Sequence, residues 1–391
     1  MENSLLNREK DLFLNTYNRS PIDISHGSGV HLFDKQGSRY LDFFSGLAVN
    51  ALGYSHPGIT EAVCSQMHKF AHLSNSYITE VQIEFTELLL KYSDMSGTFL
   101  TNSGAESVEG AIKLLRKYYG PGKKIYSLTG SFHGRTYGAV TLTGREKYKK
   151  GFEPLLPGID HIIFNDVNDL KKKVNEETAA VFIEFIQGEG GINVVSEEFA
   201  GELLKLRNEF GFAVVSDEIQ SGIGRTGKPF ACSHYNVDPD IMVSAKAIGG
   251  GLPLGAILVS DKFRQVFTPG IHGTTFGGNP VSCAAGKVVL EEVFENGLMD
   301  NSAEMGAYLY EQLNEIKKMF PDDIKEIRGK GFMQGVEMNY PGQDIVRKMR
   351  DRKILTNCTN NTVLRLLPPL ITEKKDIDYF LYNFHEVLKN K

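Results

Sequence analysis

Short apolar runs punctuate the middle of the chain. KIYSLTG, AAVFIEFI, FAVVSDE, DIMVSAK and GAILVS lie between stretches with helical spacing, such as 195–210. Runs of this length, without strict alternation, predict strands covered on both faces, hence a mostly parallel sheet between helices. The pattern changes near Pro280. A long helical region, CAAGKVVLEEVFENGLMDNSAEMGAYLYEQLNEIKKMF, leads into strand-like GFMQGVEM, a helix near 342–352 and VLRLLPPL. That texture predicts an α+β unit of its own. The chain opens with a short helix and extended pieces, GVHLFDKQGSRYLDFFSG, turning at Asp34 to Gly37. Such a start cannot bury its apolar face alone and is expected to join the C-terminal unit.

In sheets of this kind, ligands bind beyond the carboxyl ends of the strands. Chemically capable residues follow those ends repeatedly. Ser103 with Glu106 reads as a capping box for a helix whose face is Val108, Ala111, Ile112 and Leu115. Gly104 and Ala105 then fall in its first turn, where free N–H groups favour an anion. Phe132, His133 and Arg135 follow the next strand. An aromatic face can stack on a flat ring, and an arginine can clamp a carboxylate. Taken singly, these are more often a core residue, a satisfied polar group and a surface ion pair.

FAVVS runs directly into Asp217, followed by Glu218, Ile219 and Gln220. A carboxylate at an apolar strand end needs a partner, and a protonated pyridine nitrogen is one candidate. The bland alternative is an acidic helix start. Lys246 follows DIMVSA and precedes Gly249 to Gly251. Desolvation favours the neutral amine that attacks an aldehyde, and glycines let a cofactor approach the backbone. The segment GIGRTGKP, 222–229, imitates a nucleotide motif. Pro229 stands where a P-loop carries its Ser or Thr, and no long helix opens there.

Length, charge and cysteine usage narrow the class further. A chain of 391 residues suits two domains. A net charge of −5 is unsuited to a nucleic-acid binder. Cys64, Cys232, Cys283 and Cys358 form no CxxC pair, which predicts reduced thiols and neither a zinc site nor a disulfide framework. The first residues lack a signal-peptide layout, and no apolar run spans a bilayer. A cytoplasmic protein with no membrane segment, no metal and no nucleic-acid partner is expected.

In order and spacing, TNSGAESVEGAIKL, SFHGRTYGA, SDEIQSGIGRTG, SAKAIGGGLPLGA and HGTTFGGNP resemble the class III aminotransferases. These are fold type I enzymes that use pyridoxal 5′-phosphate. The resemblance runs from about Tyr17 to about Asp378. It implies an α/β fold with a seven-stranded sheet in a large cofactor-binding domain, 46–284. A smaller domain would be built from 1–45 and 285–391. It also implies that Lys246 binds the cofactor aldehyde, Asp217 pairs with the pyridine nitrogen, Phe132 stacks on the ring and Gln220 meets the ring oxygen. Ser103, Gly104 and Ala105 would hold the phosphate, joined by Thr275 from the second subunit of a homodimer whose active sites lie at the interface.

YLDFFSGLAVNALGYSHP, HLSNSYITEVQ, FIQGEGG and LTNCTNNTVLRLLPPL resemble the branch acting on N2-acetylornithine and 2-oxoglutarate in arginine biosynthesis. That branch implies substrate contacts from Arg135 and Thr274, and an α-carboxylate site at Arg365 that Glu189 can occupy. The alternative within the class is an ornithine, succinyldiaminopimelate, succinylornithine or 4-aminobutyrate donor. Two positions depart from the branch pattern: Phe185 replaces a proline and Tyr54 a histidine.

Overall fold

The computed structural model describes residues 5–390. Its central sheet has seven strands, and Ile159–Ile162 forms one edge. Lys124–Leu128, Thr178–Ile183, Ala213–Asp217, Ile241–Ser244, Gly255–Val259 and Gly97–Thr101 follow in order across it. Six of these run parallel; Gly255–Val259 is antiparallel to both its neighbours. The reason lies in the preceding connection, 245–254, which is too short for a crossover helix. Thr178–Ile183, Ala213–Asp217 and Ile241–Ser244 are buried at every position, as expected for strands sandwiched between helices.

The C-terminal region contains the antiparallel strands Ile324–Lys330, Met333–Met338, Val363–Leu366 and Asn357–Thr359. Helices Leu298–Met319 and Lys374–Lys389 accompany them. The N-terminal strands Ile24–Ser28, His31–Asp34 and Arg39–Asp42 form a separate sheet, completed by Ile354–Leu355 running parallel to Arg39–Asp42. The start of the chain is thereby paired with its end. The expected domain boundary between 284 and 285 falls inside one continuous helix, Pro280–Phe294, which packs on Pro57–Lys69 and Glu80–Ser93.

Two elements matter most for the site. Helix Gly104–Tyr119 begins directly after strand Gly97–Thr101, so its N-terminus opens at one end of the sheet. The parallel strands ending at Ile183, Asp217 and Ser244 bring Glu184, Asp217 and Lys246 to that same end. Among the described residues, no helix is long and apolar enough to cross a membrane.

Candidate active site

A cavity of about 480 Å³ opens at the carboxyl ends of the parallel strands. Ser103, Gly104, Ala105, Phe132, Arg135, Glu189, Asp217, Gln220 and Lys246 all line it. The sequence expected each of these at a site, and the fold brings them together.

At one end of the cavity is the start of helix Gly104–Tyr119. Ser103 Oγ accepts from the Glu106 amide at 3.2 Å. The reciprocal half of the expected capping box is displaced by one residue. The Glu106 carboxylate accepts from the Asn102 amide at 2.7 Å and from Asn102 Nδ2 at 2.8 Å, not from Ser103. A Cβ on Gly104 would come within 2.6 Å of the Ile219 side chain, so only glycine allows this close approach to the loop after Asp217.

Asp217 stands at the end of strand Ala213–Asp217, only 4% exposed. Its Oδ2 is 2.7 Å from His133 Nδ1, and its Oδ1 accepts from the Ile219 amide at 3.1 Å. Burial opposes a charged imidazole. The hydrogen bond and charge of Asp217, with Glu184, outweigh it and lift His133 above the usual histidine range. His133 Nε2 is buried and makes no hydrogen bond. Glu184 accepts from the amides of Phe132 at 2.9 Å and Gly188 at 3.1 Å. Burial pushes this acid up to about 7, against the pull of the His133 charge.

Lys246 has φ of +51°, a left-handed backbone that a lysine adopts at a cost of about 1–3 kcal/mol. The surrounding structure holds it there, on a short helical turn that ends in left-handed Gly250. Burial, then the charge of Arg365, lowers the amine below its ordinary value, with Asp217, Glu189 and Glu184 opposing. Desolvation thus favours the neutral nucleophile.

Arg365 does not line the cavity itself. Its Nη1 donates to Glu189 Oε1 at 2.6 Å, and Nη2 to Asn357 Oδ1 at 2.8 Å; Gln220 Oε1 stands 3.4 Å from Nη1. The guanidinium is 2% exposed, and Glu189 is the part of this pair that faces the cavity. Burial acts against ionised Glu189, but the charge and hydrogen bond of Arg365 outweigh it and hold its pKa below the ordinary carboxylate value.

Thr274 and Thr275 do not reach the cavity of their own chain. Thr274 accepts from Asn102 Nδ2 at 3.1 Å, and Thr275 is exposed on the same loop. Both departures from the branch pattern lie away from the chemistry. Phe185 is buried and stacked on Tyr235 at 5.0 Å. Tyr54 donates to the buried Asp42 at 2.5 Å. Asp42 in turn holds the amides of Phe44 and Ser45, where a left-handed turn begins: φ is 44°, 62°, 67° and 65° at Ser45, Gly46, Leu47 and Ala48. That turn delivers Val49 to the cavity wall. The GIGRTGKP segment is tied to the C-terminal region: Arg225, 1% exposed, donates to the carbonyls of Phe332 and Pro368.

Sequence reasoning assigned no role to Glu184, although it follows an apolar strand just as Asp217 and Lys246 do. His133 was given only its bland role, and Asn102 and Val49 were not singled out.

The donors present fit a flat, phosphorylated heterocyclic aldehyde. A helix N-terminus with a hydroxyl offers an anion site, a buried carboxylate backed by imidazole suits a protonated ring nitrogen, and a desolvated amine suits the aldehyde.

A family model described as aminotransferase class-III matches residues 13–388. The acetylornithine aminotransferase of Aquifex aeolicus (strain VF5) is 45% identical over 96% of this chain and 99% of its own length. That of Caldanaerobacter subterraneus subsp. tengcongensis is 44% identical over 98% of this chain and 99% of its own. Among solved structures, the ornithine aminotransferase of Toxoplasma gondii ME49 superposes with a TM-score of 0.95 at 28% identity, covering 98% of this chain and 94% of that one. The acetylornithine aminotransferase of Elizabethkingia anophelis superposes with a TM-score of 0.90 at 29% identity, covering 99% and 98%.

Proposed function

This chain belongs to the class-III aminotransferases, and from that membership we propose that it moves the side-chain amino group of N2-acetylornithine to 2-oxoglutarate, using pyridoxal 5′-phosphate. The products are N-acetylglutamate 5-semialdehyde and glutamate. The observation that carries the chemistry is a single cavity shared by Lys246, Asp217 and the start of helix Gly104–Tyr119. The donor substrate rests on full-length relatives named for acetylornithine. A cytoplasmic role in arginine biosynthesis is part of this reading.

When bound, the cofactor supplies an aldehyde that links to amines and a ring that accepts electrons from the reacting carbon. Ser103 Oγ with the amides of Gly104 and Ala105 would hold the phosphate. Phe132 would offer its face to the ring, and Gln220 would meet the ring hydroxyl. Asp217 would keep the proton on the ring nitrogen, and His133, 2.7 Å from its Oδ2, holds the carboxylate in orientation. Lys246 Nζ would be the anchor for the aldehyde and, as a free amine, the base placed to take the proton from the carbon bearing the substrate's amine.

Two unlike substrates share one pocket. Arg135, with Thr274 from the second copy, contacts the acetylated donor. Glu189 neutralises Arg365 while that donor is present and gives way when the dicarboxylic acid brings a second carboxylate. The exchange costs little because one carboxylate replaces another on the same guanidinium.

A homodimer completes the site with Thr275 from the second copy. Exposed apolar side chains beside its loop support this: Ile78 is 88% exposed, Tyr77 65% and Phe276 58%. Asn75 ties the two segments together through the carbonyls of Thr274 and Gly277. Such a cluster marks an interaction face.

A second reading, transfer from unacylated ornithine, draws on the overlap with the Toxoplasma enzyme. Purified protein assayed with 2-oxoglutarate decides between them. Acetylornithine is expected to exceed ornithine in kcat/KM by at least about tenfold, the scale of one satisfied polar contact. A preference for ornithine, or no transamination, overturns the proposal.

A further inference from the structure

The segment 145–149 touches both substrate-facing parts of the cavity, although only its neighbours were singled out by the sequence. Tyr148 is its centre. The Arg135 guanidinium carbon lies 4.0 Å from the Tyr148 ring centroid, and Phe132 meets the same ring edge-on at 5.6 Å and 76°. Arg145, 5.5 Å from the ring, donates to the backbone carbonyl of Glu189. One aromatic side chain therefore adjoins the arginine on the cavity rim, the ring-stacking phenylalanine and the group that anchors Glu189.

The segment is fixed from below. Lys149, only 4% exposed, donates to His161 Nε2. His161 Nδ1 is 2.8 Å from Ser127 Oγ, which itself donates to the Leu142 carbonyl. Those partners set the tautomer: Nε2 accepts from the lysine and Nδ1–H donates to the serine, a neutral ring. Burial, and then the Lys149 charge, lower His161 to about 4, so this arrangement holds at neutral pH. Arg135, by contrast, is exposed, with many rotamers open to its long side chain; beyond the Tyr148 ring, the Phe132 ring is a more distant contact, 5.5 Å from the guanidinium carbon. A flat guanidinium laid on an aromatic face keeps its N–H edge free to grip a carboxylate.

We infer that Tyr148 is a positioning residue for carboxylate recognition, holding Arg135 ready at the cavity rim for a substrate carboxylate. This rests on the reading of Arg135 as a substrate contact and adds the device that orients it. Replacement of the ring face is what matters, so phenylalanine serves and alanine does not.

The test is calorimetric binding of glutarate to the cofactor-loaded protein, in wild type, Tyr148→Ala, Tyr148→Phe, Arg135→Ala and the Tyr148→Ala/Arg135→Ala double variant. Tyr148→Ala is expected to weaken glutarate about five- to tenfold, and Tyr148→Phe by less than about twofold, the range of an aromatic–cation contact. In the Arg135→Ala background, Tyr148→Ala adds nothing further. In turnover assays its effect falls on KM, with kcat nearly unchanged. Equal losses with and without Arg135, loss in Tyr148→Phe as large as in Tyr148→Ala, or a wild type that does not bind glutarate each overturn the inference. Failure to turn over acetylornithine while the binding pattern holds would sink the substrate reading and leave the role of Tyr148 standing.

Discussion

His133 Nδ1 and Asp217 Oδ2 stand 2.7 Å apart, both buried, joining a loop residue to the end of strand Ala213–Asp217. Removing one partner leaves the other without its hydrogen bond in a dry site, which costs about 1–3 kcal/mol. The His133→Phe variant is therefore expected to lose about ten- to a hundredfold in kcat. Steady-state kinetics check it; unchanged kcat would show that Asp217 needs no such support.

Glu184 and His133 both hold their protons more firmly in the folded protein than in the unfolded chain. For Glu184 the ordinary value is 4.5 and the folded value about 7. A raised folded value adds stability that is complete below pH 4.5 and is lost as pH climbs through about 7. Relative to Glu184→Gln, the wild type should lose about 2–3 kcal/mol between pH 5 and 8, the scale of about two pKa units. Chemical denaturation of the two proteins at each pH reads this directly. A difference that grows with pH contradicts the assignment.

The 2.6 Å contact between Glu189 and Arg365 makes a competitor for any incoming carboxylate. Glu189→Ala frees the guanidinium. The variant is expected to bind 2-oxoglutarate about threefold to tenfold more tightly and to discriminate less well between acetylornithine and dicarboxylic amino acids. Half-reaction kinetics followed separately for each substrate provide the measurement. Unaltered rates and affinities in both halves would remove Glu189 from the mechanism.

Ile78 sits 88% exposed close to the loop that carries Thr275. If that face joins two copies, Ile78→Asp places a charge in an apolar contact and shifts sedimentation from dimer toward monomer. Activity should fall in step, because the site then lacks Thr275. A fully active monomer rules out the shared site.

Much of this was legible in the linear chain. Asp217 and Lys246 follow apolar strands directly, and strand ends are where such sheets place their chemistry. Glu184 obeys the same rule at the end of Thr178–Ile183, so the signal was present and unread. Other features were hidden because they depend on pairs distant in sequence. Nothing near His133 announces Asp217; the pairing of Glu189 with Arg365, by contrast, was expected from the family resemblance, and the two stand 2.6 Å apart. Tyr148 earns its place from three neighbours brought in by different segments. The capping box failed in its second half because Asn102 offered the Glu106 carboxylate two donors where Ser103 offered one. Thr275 lies outside the cavity of its own chain, as the proposed shared site requires.

The central claim is that Lys246 carries the cofactor. Pyridoxal 5′-phosphate added to the purified protein, followed by borohydride reduction, digestion and mass spectrometry, should place the pyridoxyl group on the peptide containing Lys246 and leave Lys246→Ala unlabelled. Stoichiometric label on a different lysine, or an equally labelled Lys246→Ala protein, contradicts the account.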